Sequence, residues 1–281
     1  MSSQVSDRYV EVEGVRLHYT TAGRGEPVLL LHGWPTSSFL WRHVMGPIAA
    51  GNRVIALDLP GFGLSDKPLD ASYSFRYYDR VLSAFSDALE IETTGLAVHD
   101  LGGPVGLYWA CQHPERLSRL ALLNTLIYPD PSWAVILFVA ATRLPLLRSL
   151  LSSQWGLAAA LRLGVSDRRR LSDEAVRAVQ APFKSRDDRR ALLKAGHGLS
   201  PKGFREIADK LPSFEVPVRI VYGARDRFLP DVASTMQRAQ RDLPQAEVTV
   251  LADCGHFLQE ERPEEIGRLL AEFFAPDAAA V

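Results

Sequence analysis

Short apolar runs rich in Val, Ile and Leu alternate with longer amphipathic segments along most of the chain. That rhythm belongs to strands joined by crossover helices in a mostly parallel sheet. Strands are predicted near Tyr9–Val12, Val15–Thr20, Pro27–His32, Arg53–Asp58, Gly95–His99, Leu117–Asn124, Val218–Tyr222 and Glu247–Leu251, eight in all. The first two flank Glu13-Gly14, a hairpin turn signal, so the sheet should begin antiparallel and then turn parallel. Helices are expected after Ser38, over Phe75–Glu90, Leu101–His113, Asp231–Asp242 and Pro263–Phe274, each where a crossover is needed.

The alternation stops between about Tyr128 and Ser213. No strand pattern occurs there, the periodicity is helical, and Pro131, Pro145, Gly164, Pro182 and Gly198 punctuate it. The chain therefore divides into a core built from residues 1–128 and 214–281 and a helical cap at 129–213. Trp133 to Ala141, the most apolar segment, is too short to span a bilayer and reads as a buried or pocket-facing helix. Leu137, Phe138, Leu144, Leu146 and Leu147 then give the cap an apolar lining, and the same helix offers a dimer face, leaving a monomer or a homodimer open. The run Arg168-Arg169-Arg170 reads as a solvated helix start.

Composition narrows the function. Lys plus Arg number 32 against 33 Asp plus Glu, so the chain lacks the positive field that nucleic acid demands. Two cysteines, Cys111 and Cys254, stand far apart and outside any Cys-x-x-Cys pattern, which indicates neither a disulfide framework nor a zinc site. Met1 to Arg8 has no basic region followed by an apolar stretch, so a cytoplasmic protein without membrane contact is expected. With no metal, nucleotide or flavin motif, no cofactor is expected either.

The chemistry concentrates at Leu96-Ala97-Val98-His99-Asp100-Leu101-Gly102-Gly103, an apolar strand that ends at a polar residue and runs at once into small residues and a helix. Such an elbow projects the polar side chain from the sheet edge, and a Cβ two residues on would collide with the turn. The helix start behind it offers free N–H groups to a developing anion. His99 should point the opposite way along the strand and is taken as structural. His32 is read as bracing its loop, and His18, His43, His113 and His197 have no supporting context.

These residues resemble the aspartate-nucleophile branch of the α/β-hydrolase superfamily, which includes haloalkane dehalogenases and epoxide hydrolases. The resemblance rests on five motifs in order: His32-Gly33-Trp34-Pro35 with the run to Arg42, Asp58-Leu59-Pro60-Gly61 with the run to Pro68, the His99-Asp100 elbow, Gly223-Ala224-Arg225-Asp226, and Asp253-Cys254-Gly255-His256-Phe257. It implies an α/β-hydrolase fold in which Asp100 attacks an sp³ carbon, His256 activates the water that cleaves the resulting ester, and Asp226 orients His256. Asn124 stands where some relatives keep that acid, which supports Asp226. The Trp34 and Leu101 N–H groups would form the oxyanion and leaving-group site, with a cis Trp34-Pro35 bond as in relatives. No Gly-x-Ser-x-Gly occurs, which disfavours serine acyl transfer.

Val98, the Pro35-Thr36-Ser37-Ser38 run and Ser65-Asp66-Lys67-Pro68 resemble dehalogenases, so a dehalogenase-like hydrolase of small apolar substrates is the expected activity. Two departures bear on it. Leu101 replaces the Trp that usually follows the nucleophile and donates to halide, and Trp34 occupies a position often Asn or Glu in that family. Trp34, Trp133 and Trp155 are candidates to rebuild the halide site, with packing of the cap as the other reading of the last two; Tyr128 and Phe257 complete the candidate pocket. Epoxide hydrolysis, with Tyr128 the one nearby candidate for an acid, is the alternative, followed by a cofactor-independent ring-opening enzyme or a hydrolase-like receptor.

Overall fold

The computed structural model describes residues 5–276; the extreme ends of the predicted core, including the first half of the segment read as lacking a leader, lie outside the described residues. Eight strands form one sheet: β1 (Ser6–Val12), β2 (Val15–Ala22), β3 (Glu26–Leu31), β4 (Asn52–Leu57), β5 (Thr94–Asp100), β6 (Leu117–Thr125), β7 (Val218–Gly223) and β8 (Glu247–Leu251). Their spatial order is β1-β2-β4-β3-β5-β6-β7-β8. The β1-β2 and β2-β4 pairings are antiparallel and all others parallel, as the hairpin signal and the later crossovers predict.

The core helices are α1 (Met45–Ile48), α2 (Phe75–Ala88) and α3 (Gly102–Gln112). The helix expected after Ser38 is in fact split into a 3-10 turn over Ser38–Trp41 and the short α1, because Ser37 caps the turn and Pro47 limits the helix behind it. Between β6 and β7 lie only helices among the described residues: α4 (Trp133–Arg143), α5 (Pro145–Leu151), α6 (Gln154–Gly164), α7 (Asp173–Gln180), α8 (Arg186–His197) and α9 (Pro201–Lys210). Ser132, Ser153, Ser172 and Ser185 each accept a backbone N–H at the start of α4, α6, α7 and α8, so this polar punctuation sets the helix boundaries. The chain closes with α10 (Val232–Asp242), α11 (Leu258–Glu261) and α12 (Pro263–Phe273).

Apolar layers cover both faces of the sheet, one around Leu29, Leu31, Leu96 and Val98 and the other around Leu30, Val54, Ala97 and Leu123. Alternate residues of each central strand feed opposite layers, which is why these strands read as continuous apolar runs.

One expectation fails in the inserted helices. Helix α4 is not sheathed in protein: Trp133 is 68% exposed and Leu137 60%, and on α5 Leu146 is 86% exposed. Thr142 alone among α4 residues is buried. Of the residues expected to line a pocket only Phe138 turns inward, its ring 4.8 Å from that of Trp34 in an edge-on contact. An apolar run shows that a helix avoids water; whether other protein or something else provides the shelter is a separate matter.

Candidate active site

Asp100 ends β5 with φ of +47°, a left-handed conformation unusual for a side chain larger than glycine. The elbow is held by what surrounds it. Thr125 Oγ1 donates to the Asp100 carbonyl at 2.6 Å, and the β5-β6 register shifts between His99 and Asp100. Glycine is required at two contacts: a Cβ on Gly102 would sit 2.5 Å from the His32 carbonyl oxygen, and one on Gly33 would sit 2.3 Å from the Asp100 Cβ.

The loop after β3 brings the Trp34 N–H to Asp100 Oδ2 at 2.7 Å, and the Leu101 N–H also stabilises the carboxylate. The Trp34-Pro35 peptide is cis. The other carboxylate oxygen, Oδ1, faces His256 Nε2 at 3.7 Å, beyond hydrogen-bond range. On its far side the imidazole donates from Nδ1 to Asp226 Oδ2 at 2.7 Å. Asp226 Oδ1 accepts the Phe228 and Leu229 N–H groups at 2.8 and 2.9 Å.

Burial opposes charge on all three groups, and their partners decide the outcome. Burial raises the Asp100 pKa despite His256 and the two N–H donors. Burial likewise works against the Asp226 charge, but His256 and the hydrogen bonds from its ring, from Leu229 and from Asn124 hold the pKa below the usual value. His256 is raised above 6.5 in spite of its burial, because the Asp226 and Asp100 carboxylates flank it. The arrangement is a carboxylate set against two converging N–H donors, beside an imidazole whose tautomer and orientation a second carboxylate fixes.

Other side chains brace this arrangement. His99 Nε2 donates to the His256 carbonyl at 2.9 Å, and burial pushes its pKa down to about 3, so it is a neutral brace as expected. His32 donates from Nδ1 to the Gly33 carbonyl and accepts the Leu59 N–H at Nε2, tying two loops together as expected. Asn124 does more than mark an unused acid position. Its amide donates to Asp226 Oδ2 at 2.7 Å while its oxygen accepts the Gly223 N–H at 2.8 Å, so it fixes the carboxylate to β7. An Asn at the end of an apolar strand was the sequence signal for that role. His18, without context in the sequence, is buried and bonded to Asp58 at 2.8 Å.

The profile of the alpha/beta hydrolase fold family matches residues 26–263. The chain belongs to the α/β-hydrolase fold family. Within this family it is 33% identical to a cis-3-alkyl-4-alkyloxetan-2-one decarboxylase from Shewanella oneidensis, over 92% of this chain and 85% of that one. It is 29% identical to a haloalkane dehalogenase from Agrobacterium fabrum, over 92% and 88%. Among solved structures, a haloalkane dehalogenase from Bradyrhizobium elkani superposes with a TM-score of 0.86 at 27% identity, over 96% of this chain and 98% of that one.

Four candidate pocket residues of this α/β-hydrolase chain need relocating. Trp133 and Trp155 are 68% and 69% exposed, so neither indole reaches Asp100. The Tyr128 hydroxyl donates to Asp242 at 2.5 Å beneath the Arg238 guanidinium, in a cavity of about 220 Å³ whose lining includes neither Asp100 nor His256. Phe257 is fully buried and packs edge-on against the His256 ring at 4.9 Å, which makes it a support for the imidazole and not a pocket wall. Trp34 stays in place: its indole lies between Phe138 and Gly196, with a buried Nε1 that has no partner among the described residues.

Proposed function

We propose that Asp100 is a nucleophile toward sp³ carbon and that the substrate carries its own leaving group in a strained ring, an alkyl-substituted oxetan-2-one. The observation behind this reading is the environment of Asp100. Oδ2 accepts the Trp34 N–H, the Leu101 N–H also supports the carboxylate, and Oδ1 faces His256, while the adjacent Leu101 has no side-chain donor for halide and Tyr128 is committed to Asp242. Halide and alkoxide leaving groups need help from a donor or an acid; a ring-opened carboxylate is stable at neutral pH and needs neither. The name of the Shewanella relative points the same way.

In this reaction an Asp100 oxygen attacks the ring carbon bearing the ester oxygen. That C–O bond breaks, and its electron pair becomes a carboxylate on the neighbouring carbon. The bond to the carboxylate then breaks, its pair forms the C=C bond, and the Asp100 oxygen departs with its own pair. Carbon dioxide and an alkene leave, and no water is consumed. His256, whose protonated form its two carboxylate neighbours favour, stabilises in that form the negative charge on both sides of the step.

The free indole N–H of Trp34 favours a second reading, haloalkane dehalogenation with halide received at that donor. Here the ester must be hydrolysed, and His256 takes a proton from the attacking water. His256→Ala separates the two by intact-protein mass. A haloalkane should leave an alkyl adduct on Asp100, because ester hydrolysis slows by about 10²–10⁴-fold without its base. A dialkyl oxetanone should be released as alkene and carbon dioxide without stored adduct. Unmodified protein with no alkene and no halide would overturn both readings.

The pH profile provides an independent check. Protonated His256 cannot act as a base, and its pKa lies above 6.5, so hydrolysis-limited turnover should fall as pH drops through a value above 6.5. Decarboxylation requires no neutral imidazole and draws on the protonated one, so its rate should hold or rise as the pH drops through that window. Rates measured on both substrates from about pH 5 to 9 test the difference, since these bracket the ordinary range of His titration.

A further inference from the structure

The outward face of the inserted helices is apolar where a soluble surface should be polar. On α4 the exposed positions Trp133, Ile136, Leu137 and Ala140 keep i, i+3, i+4 and i+7 spacing, a single stripe turned to solvent, and exposed Leu144 follows at the cap. At Leu144 the chain bends by 112°, and Pro145 starts α5, which exposes Leu146, Leu147 and Leu150 beside it. On α6 the stripe continues through Trp155, Ala159 and Leu163, four residues apart. Leu163 also lines an open groove containing Arg168, Arg169, Arg170, Arg225 and Arg227 against only two aspartates, Asp167 and Asp253. The apolar stripe therefore runs into a basic margin.

Charge points to what covers this face. Between 131 and 166 the chain has three arginines, Arg143, Arg148 and Arg162, and no acidic residue, although the protein as a whole is nearly neutral. No single helix among the described residues is long and apolar enough to cross a membrane. A second copy is a poor match, because a two-fold interface sets each patch against itself and would bring the arginines of both subunits together. An anionic bilayer surface meets both requirements: leucine and tryptophan enter the acyl boundary while arginine meets lipid phosphate.

We propose that the outer face of α4, α5 and α6 docks on an anionic membrane surface. The expectation of a protein without membrane contact turned on spanning segments and leaders, and a face that lies in the interface needs neither. On the inner side of the same helix Phe138 packs on Trp34 next to Asp100, so docking sets the roof of the candidate site at the lipid boundary. The inference stands apart from the Asp100 chemistry, and its test reads binding alone.

Two of the five tryptophans, Trp133 and Trp155, are exposed, so intrinsic fluorescence reports on the docking face directly. The whole protein should sediment with vesicles of phosphatidylcholine plus phosphatidylglycerol, with a blue shift in emission, and bind pure phosphatidylcholine vesicles weakly. The double variant L137S/L146S should lose about tenfold or more in vesicle affinity, given the apolar area withdrawn. R168Q/R169Q/R170Q should lose the preference for the anionic vesicles. Leu137, Leu146, Arg168 and Arg169 face solvent and Arg170 also donates to the Glu261 carbonyl, so unchanged melting temperatures are the control that both variants fold. Absence of sedimentation and shift with either vesicle would overturn the proposal, as would a wild-type dimer that L137S/L146S converts to monomer without any vesicle binding.

Discussion

Asp100→Asn should lower turnover by on the order of 10⁵-fold, the scale of loss seen when a nucleophile that works in concert with its neighbours is removed, while leaving a protein at least as stable as the wild type. The amide keeps the shape of the carboxylate and can still accept the Trp34 N–H, so the elbow survives. What disappears is the negative oxygen facing the substrate. Stability should move the other way. Burial raises the Asp100 pKa above its ordinary value, so its charged form costs folding energy at every pH above that value, and a neutral side chain removes the cost. Turnover of a dialkyl oxetanone and of a short haloalkane, measured beside thermal melting, checks both halves. Near wild-type activity on either substrate would remove Asp100 from the chemistry, and a large drop in melting temperature would show that its charge holds the elbow together.

How far the sequence disclosed this arrangement depended on the range of the interactions. The central strands were legible because each is buried on both faces and is apolar along nearly its whole length, and β1 and β2 were legible through the hairpin turn between them. The elbow was legible because strain, small residues and a helix start fall within a few neighbouring positions. Asp226 and His256 were legible only through motif order, since it is the fold that brings β7 and the loop after β8 to the end of β5. Side chains whose partners are distant stayed hidden. Nothing near Tyr128 in sequence announces Asp242, and nothing near His18 announces Asp58, forty positions away. The inserted helices misled for another reason: hydrophobic residues that face solvent have the same periodicity as residues that face a core.

The His18–Asp58 pair shows what such a hidden contact contributes. Asp58 is 1% exposed and holds three segments at once: its Oδ1 accepts the Ser38 N–H at 2.6 Å, and its Oδ2 accepts the Leu64 N–H at 2.7 Å and His18 Nδ1 at 2.8 Å. Ser38 lies in the loop that also carries Trp34, so the carboxylate anchors the N–H group facing Asp100 from behind. Asp58→Ala would strand two buried donors and one part-buried one, at a cost of about 3–5 kcal/mol. At about 2–4 °C per kcal/mol for a domain near this size, the melting temperature should fall by roughly 10 °C. The deficit should depend on pH. Burial works against charge on both partners, yet each stabilises the other's charged form: His18 is raised above 6.5, with Asp7 assisting, and Asp58 is lowered below 3.8. The His18 contribution is complete below 6.5 and is lost as pH rises through its folded pKa; the Asp58 contribution is complete above 3.8 and is lost as pH falls through its folded pKa. The gap in melting temperature between wild type and Asp58→Ala should therefore be widest between about pH 4 and 6.5 and narrow on either side. A gap that stays constant across that range would mean that the three hydrogen bonds, and not the paired charges, carry the stability of this junction.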